Sequence, residues 1–147
     1  MTAIVFVDSN VFIYAFDDAD QTKQASARTW RAELWKRRTG RVSFQVLHEF
    51  YAKVCQKRPA AQLHARAEVR DLLRWRPVSA SAGLLEQAWK IQDRYRLSFW
   101  DAQIVAAAQL ASCRYLLTED LQDGQILDGL IVTNPFRNSP ASLLDQG

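Results

Sequence analysis

Two aspartates stand just behind short apolar runs, at positions where side chains can do chemistry. Asp8 follows the run Ala3 to Val7, and Asp120 comes shortly after the run Tyr115 to Leu117. Such runs are typical of buried strands in a parallel sheet, and ligands bind beyond the carboxyl ends of those strands. If the two strands are neighbours, both carboxylates meet at one edge of the sheet. The alternative for each aspartate is a helix N-cap, a position that favours this residue type.

A third aspartate, Asp101, lies within the apolar stripe of a predicted helix. The residues that share its face are Leu97, Ile104, Val105 and Ala108. A carboxylate among apolar side chains is costly to bury unless it is paired or bound to a cation. The segment from Ser98 to Asp101 also matches a capping box, in which the carboxylate accepts a hydrogen bond from the Ser98 backbone N–H. The two interpretations are compatible, because a first-turn carboxylate can also point over a sheet edge.

Strands and helices alternate along the chain and predict the frame that positions these acids. We expect strands at Ala3–Val7, Val42–Val46, Arg114–Leu117 and Leu130–Thr133, with Arg76–Ser79 as a further short candidate. We expect helices at Val11–Phe16, Thr22–Arg38, Ala61–Trp75, Ala82–Arg96 and Phe99–Ser112, and one that follows the second strand and runs through Lys57. Alternation of this kind indicates parallel pairing with helices on both faces. The predicted fold is one α/β domain over residues 1–147, a three-layer α/β/α arrangement with a central, mainly parallel sheet of about four to five strands.

The bulk composition fits an ordinary globular domain and argues against several other classes of protein. Hydrophobic residues make up 48% of the chain and charged residues 24%. No apolar segment reaches the roughly 18 residues that cross a membrane. The N-terminus, MTAIVFVDSN, lacks the basic region of a signal peptide, so we expect a cytoplasmic protein with no membrane partner. Cys55 and Cys113 share no motif with His48 and His64, which argues against a zinc site or a disulfide framework.

The charge of the chain permits nucleic-acid binding without demonstrating it. The net charge is +3 and the isoelectric point is about 9.1. Basic clusters occur at Lys36-Arg37-Arg38 with Arg41, at Lys53, Lys57 and Arg58, and every four residues at Arg66, Arg70 and Arg74. The ordinary explanation is a solvated helix surface partly paired with Glu68 and Asp71. The functional explanation is an RNA track, in which phosphate contacts position a substrate without reading its sequence.

Four acid-bearing segments form a specific signal when their order is considered together. They are Phe6-Val7-Asp8-Ser9-Asn10-Val11, His48-Glu49-Phe50-Tyr51, Phe99-Trp100-Asp101-Ala102-Gln103-Ile104 and Leu117-Thr118-Glu119-Asp120-Leu121. In this order they resemble the PIN-domain proteins, specifically the VapC-like toxins of bacterial toxin–antitoxin pairs, over nearly the whole chain. The resemblance includes Glu49 among the site residues, although Glu49 falls outside the apolar stripe of its helix. Taken alone, Glu49 reads as half of a solvated ion pair with Lys53, four residues further on.

The resemblance implies a PIN-like fold and a metal-dependent ribonuclease. Asp8 and Asp101 would ligate Mg²⁺ or Mn²⁺, and Glu49 and Asp120 would complete the site directly or through water. It further implies an RNA substrate, a homodimer, and a small antitoxin protein whose tail blocks the acidic site.

The fourth acidic position varies in this family. Asp120 fits the usual T-x-D pattern behind Thr118, and Glu119 and Asp123 are the alternatives. Oxygen ligands without Cys or His suit a hard cation rather than zinc. Such an ion can lower the pKa of a bound water and neutralise charge on a scissile phosphate.

Two other classes of protein fit the sequence less well. A phosphatase of the haloacid dehalogenase type commonly needs a second Asp two residues after the first, where this chain has Asn10. A response-regulator receiver domain needs a Lys after its last strand, and residues 133–136 contain none. The remaining alternative is an RNA- or partner-binding PIN module without turnover, and the intact acidic set argues against it.

Overall fold

The computed structural model describes residues 3–145, and in this part of the chain four α-helices separate the first two strands from the last three. The strands are β1 (Val5–Val7), β2 (Gly40–Arg41), β3 (Tyr115–Leu117), β4 (Ile126–Leu127) and β5 (Leu130–Thr133). The α-helices are α1 (Ser9–Phe16), α2 (Gln21–Arg37), α3 (Phe44–Lys57), α4 (Gln62–Leu72), α5 (Ala82–Tyr95), α6 (Phe99–Leu110) and α7 (Pro140–Leu144). Short 3₁₀ turns at Pro59–Ala61 and Leu73–Trp75 flank α4.

The strands form a single sheet in the order β2-β1-β3-β5-β4. All pairs are parallel except the terminal β4–β5 pair, which is antiparallel. In the centre, Val7 at the end of β1 lies beside Leu117 at the end of β3. The residues that follow these two strands therefore emerge at the same edge, and the predicted mainly parallel α/β fold is confirmed.

Apolar side chains from both strands and helices hold the sheet in place. All three residues of β1 are buried, and so are Leu116 and Leu117 of β3. Strands buried on both faces require helices on both faces, since an uncovered face would expose this apolar surface to water. Helix α1 packs against α2 and α3, and α5 packs along α6. Among the residues described, no helix is long and apolar enough to cross a membrane.

The predicted strand at Val42–Val46 is wrong. Pairing occurs earlier, at Gly40 and Arg41, and Ser43 then caps α3 by accepting a hydrogen bond from the Val46 N–H at 3.3 Å. Val42 and Val46 are both buried, but Val46 is buried as part of a helix. The candidate strand at Arg76–Ser79 is reduced to an isolated bridge between Val78 and Ser43.

A close approach at Gly40 joins the edge strand to the helical layer. A Cβ at this position would lie 2.4 Å from the Trp75 ring, so only glycine fits without a shift. Trp75 is 5% exposed and packs edge-on against Phe12, with 5.9 Å between ring centroids. The centroid of the Trp35 ring lies 6.3 Å from that of Trp75, and the two rings are tilted by 36°.

Candidate functional site

Asp8 occupies both positions that its sequence context allowed. It follows β1 at the carboxyl edge of the sheet, and it caps α1 by accepting a hydrogen bond from the Ser9 N–H at 2.7 Å. Its other carboxylate oxygen accepts a hydrogen bond at 2.8 Å from the hydroxyl of Thr118, a residue that is fully buried behind β3. Asp8 itself is only 6% exposed, so its carboxylate is fixed in place.

The environment of Asp8 disfavours its charged form. Burial raises the pKa of this carboxyl to about 7, against the hydrogen bonds from Thr118 and Ser9, which lower it. The negative charges of Asp120 and Glu49 raise the pKa further. Asp8 is therefore poised to lose its proton near neutral pH if a positive charge arrives beside it.

Asn10 links the beginning of the site to its end. Its side-chain amide donates hydrogen bonds to Asp120 Oδ2 and Thr118 Oγ1, each at 3.1 Å, and approaches Asp8 Oδ2 at 3.4 Å. The Asp120 backbone N–H also donates to Thr118 Oγ1 at 3.1 Å, which sets the turn after β3. The buried Asn10 Oδ1 has no protein hydrogen-bond partner among the described residues. Asp120 thus lies in a loop and does not cap a helix.

The two alternatives to Asp120 have other contacts. Glu119 forms an ion pair with Lys23 at 2.9 Å, and the same ammonium contacts the Tyr14 hydroxyl at 3.4 Å. Asp123 accepts a hydrogen bond from the Asn134 N–H at 2.8 Å and stabilises the loop after β5. Of the three acids, Asp120 is the one that shares the Asn10 amide with Asp8 and Thr118.

Glu49 reaches the site from the exposed side of α3. Partial burial raises the pKa of its carboxyl, opposed by a hydrogen bond from Gln45, and the charges of Asp101 and Asp120 raise it further. Among the described residues it forms no ion pair with Lys53, although the ammonium of Lys53 lowers its pKa slightly. The ordinary Glu–Lys pair suggested by spacing is therefore absent from this part of the chain.

Asp101 lies in the first turn of α6, and its capping box is only half formed. The Ser98 hydroxyl accepts a hydrogen bond from the Asp101 N–H at 3.2 Å. No reciprocal bond from the Ser98 N–H to the Asp101 carboxylate is found between these two described residues. The half-buried carboxylate is therefore not held by the cap and is available for other contacts.

We call Asp8, Glu49, Asp101 and Asp120 together the acidic edge. Two of these acids, Glu49 and Asp120, line a cleft of about 510 Å³, together with Asn10, Lys53 and Lys57. In the described chain, no three acidic, histidine or cysteine side chains are close enough as they stand to share one ion. The acids influence one another electrostatically, and side-chain rotation would be needed to bring them onto a common cation.

Two functional candidates, Asn10 and Thr118, were not predicted as part of the site. Each lies two residues from an aspartate in the sequence, Asn10 after Asp8 and Thr118 before Asp120. That spacing was the available signal, but their role depends on the β1–β3 register that brings them together.

Solved structures of toxin and toxin–antitoxin proteins share the fold of this chain. A toxin–antitoxin complex from Klebsiella pneumoniae is 19% identical at a TM-score of 0.64, covering 89% of this chain and 97% of that one. VapC20 from Mycobacterium tuberculosis, a toxin that cleaves the sarcin–ricin loop, is 23% identical at a TM-score of 0.61, and the match covers 79% of this chain and 91% of that one. VapBC2 from Rickettsia felis, bound to a promoter DNA fragment, is 17% identical at a TM-score of 0.63, and the match covers 89% of this chain and 98% of that one. At these identities the likeness establishes the fold alone.

The sequence itself matches one family model. No curated protein sequence matches the chain significantly. The model of the PIN domain matches residues 5–122, a range that begins at β1 and ends just past Asp120. Because this match covers most of the chain and includes all four acids, the protein belongs to the PIN domain family.

Proposed function

We propose that this protein is a ribonuclease that depends on Mg²⁺ or Mn²⁺, with Asp8 and Asp101 as ligands of the cation. The observation that carries the proposal is the buried Asp8 carboxyl, which is bonded to Thr118 and bridged through Asn10 to Asp120. Burial first, and then the charges of Asp120 and Glu49, raise the pKa of this carboxyl to about 7, and a cation bound beside it would favour its charged form. The donors are all oxygens, which fits a hard divalent cation. Membership of the PIN family supports nuclease chemistry in particular.

Each residue of the site would have its own role in hydrolysis. A bound cation would supply the positive charge that acidifies a water molecule and offsets charge on the scissile phosphate. Asp120, which accepts a hydrogen bond from Asn10, or Glu49, which lines the cleft, would orient the attacking water and accept its proton. Thr118 keeps Asp8 in a fixed rotamer, so that little reorganisation is needed when its proton leaves.

We further propose that the protein is the toxin of a toxin–antitoxin pair, acts on RNA in the cytoplasm, forms a homodimer and binds a cognate antitoxin. Support comes from the fold that it shares with toxin–antitoxin complexes of Klebsiella pneumoniae and Rickettsia felis. VapC20 of Mycobacterium tuberculosis, which shares the same fold, cleaves RNA in the sarcin–ricin loop.

Cleavage of RNA by the purified protein tests the enzymatic proposal. We expect cleavage with Mg²⁺ or Mn²⁺, none with EDTA, and a loss of about a hundredfold or more in Asp8→Asn. The matched control is Glu86→Gln, which removes one exposed acid from α5, outside the site. Cleavage that survives EDTA, with Asp8→Asn as active as wild type, contradicts the proposal. Binding of RNA with no cleavage in either metal would instead favour a PIN module without turnover.

Expression of the chain without a partner tests the toxin assignment. We expect growth arrest of a bacterial host by wild type and by Glu86→Gln, and relief of the arrest by Asp101→Ala. Immunoblots of the soluble fraction check that all three proteins accumulate equally. If hosts that express wild type and Asp101→Ala grow equally well while the two proteins accumulate equally, the toxin assignment is contradicted. The nuclease assignment is then decided by the cleavage assay.

A further inference from the structure

A second cleft, of about 340 Å³, lies away from the acidic edge, where α2 ends and β2 forms the edge of the sheet. We call it the arginine cleft. Its charged lining consists of Arg38, Arg41, Arg74 and Arg76, and no acidic residue contributes to it. The four arginines come from two chain segments that are more than thirty residues apart, Arg38–Arg41 and Arg74–Arg76.

The positive charge of the arginine cleft is not neutralised within the described chain. None of its four arginines forms an ion pair with a described acid. Arg41 donates hydrogen bonds only to backbone carbonyls, those of Gly40 at 2.8 Å and Arg38 at 3.4 Å. By contrast, Arg37, the immediate neighbour of Arg38, is paired with Asp145 at 2.6 Å. Acids are thus present nearby but do not face into the cleft.

The uncharged wall of the cleft is aromatic. Trp35 and Trp75 line it, and the missing side chain of Gly40 is what allows the Trp75 ring to lie against the strand. Guanidinium groups match phosphate in a bidentate geometry, and indole rings provide apolar surface for a nucleobase. The volume lies at the lower end of the range for small-ligand sites, which suits a single nucleotide.

The arginine cleft is also within reach of a strand bound at the acidic edge. Gly40 pairs with Val5 at the start of β1, whereas Asp8 follows the end of the same strand, three residues on. The rise of a strand places these two points about 10 Å apart along the sheet. A strand of several nucleotides that passes over the protein surface is long enough to contact both sites.

We propose that the arginine cleft binds one nucleotide of an RNA strand, at a position remote from the bond that is cleaved. Arginines hold the phosphate, and the half-buried ring of Trp35 receives the base, because Trp75 beside it is only 5% exposed. This inference rests on the proposed ribonuclease function, because it takes the strand in the cleft to be part of the substrate. An acidic peptide would satisfy the arginines but would make no use of the aromatic wall.

Binding of a fluorescein-labelled oligouridylate of about 12 nucleotides, within the usual range of single-strand sites, tests the inference. Anisotropy is measured in EDTA across a salt series, so that no cleavage occurs. The variant Arg74→Gln/Arg76→Gln removes two charges from the cleft. The matched control, Arg96→Gln/Arg137→Gln, removes two exposed arginines elsewhere, and Arg96 shares with Arg76 a positive backbone φ, 55° against 53°.

We expect the cleft variant to bind about tenfold more weakly at low salt, with a salt slope reduced by about 1.4, or 0.7 for each lost phosphate contact. The control variant should change both quantities far less. Equal binding of the oligouridylate by the two variants overturns the inference. A labelled oligoglutamate, titrated in the same way, represents an acidic peptide. If the cleft variant loses binding to oligoglutamate but keeps its binding to oligouridylate, the inference is also overturned. Wild-type cleavage with Mg²⁺ is measured in parallel. If wild type cleaves RNA but the two variants bind the oligouridylate equally, only the proposed role of the arginine cleft is refuted. If wild type neither cleaves nor binds RNA, both the ribonuclease proposal and the cleft proposal are refuted.

Discussion

The acidic edge and the arginine cleft hold like charges together in different ways. At the acidic edge, Asp8 is buried and bonded to Thr118, and Asn10 bridges onward to Asp120. In the arginine cleft, the charged groups come from exposed or half-buried residues and lack acidic partners within the described chain. Repulsion is reduced in the first case by protonation and hydrogen bonds, and in the second by water.

This difference determines which solution condition should affect each region. A buried carboxyl with a raised pKa responds to pH and to cations that compete with its proton. Solvated guanidinium groups keep their charge at any ordinary pH and respond to ionic strength. The acidic edge is therefore expected to be a pH-sensitive site and the arginine cleft a salt-sensitive one.

The largest expected effect that separates the two regions is the pH dependence of Asp8. Its pKa of about 7 in the folded protein exceeds the value of 3.8 expected for the unfolded chain, so the folded state binds the extra proton between these pH values. The stability of the metal-free protein should therefore fall as pH rises through this window, by up to about 1.4 kcal/mol per pH unit, and level off above 7. Urea unfolding of wild type and Asp8→Asn in EDTA measures this contribution as the difference between them. A difference that does not change between pH 4 and 7 contradicts the assignment.

A second effect concerns Asp101 and the metal. The Ser98 cap uses the Asp101 backbone, which Asp101→Asn keeps, so the metal-free variant should stay within about 1 kcal/mol of wild type. A hundredfold excess of Mg²⁺ over its dissociation constant should stabilise wild type by about 2.7 kcal/mol and the variant much less. Thermal unfolding with EDTA and with Mg²⁺ provides the comparison. An equal destabilisation of the variant in both conditions would mean that Asp101 serves the helix and binds no ion.

The third effect changes the wall of the arginine cleft without touching an acid. Gly40→Ala places a methyl group into the buried Trp75 ring, and overpacking of this kind costs about 1–3 kcal/mol. The matched control is Gly83→Ala in α5, where the nearest atom is Ser81 Oγ at 3.8 Å. That change should stabilise the helix by about 0.5–1 kcal/mol. Urea unfolding should give opposite signs for the two variants, and equal signs would show that Gly40 is not a packing constraint.

The sequence was sufficient to predict the centre of the fold better than its edges. The strand at Leu130–Thr133 has the predicted bounds, and Asp8 lies beyond its strand as expected. The edge strand β4 has two residues, one of them exposed, which leaves almost no alternation to detect. At β2, buried valines favoured a strand, but the Ser43 cap had already begun a helix.

The contacts between distant segments could not be obtained from the sequence. Spacing grouped Arg37 with Arg38 and Arg41, but the fold pairs Arg37 with acids. Arg38 and Arg41 instead face Arg74 and Arg76 across the cleft. Likewise, the bridge from Asn10 to Asp120 joins residues 110 positions apart and depends on strand register, which no local pattern encodes.

That bridge has a consequence for how the protein is made. Because translation proceeds from the N-terminus, Asp8 and Asn10 emerge from the ribosome long before Thr118 and Asp120. At roughly 5–20 residues per second, several seconds separate the two ends of the site. During that interval the nascent chain lacks the hydroxyl that holds Asp8 and the acid that Asn10 binds. The order of synthesis thus delays assembly of the acidic edge until most of the chain has left the ribosome.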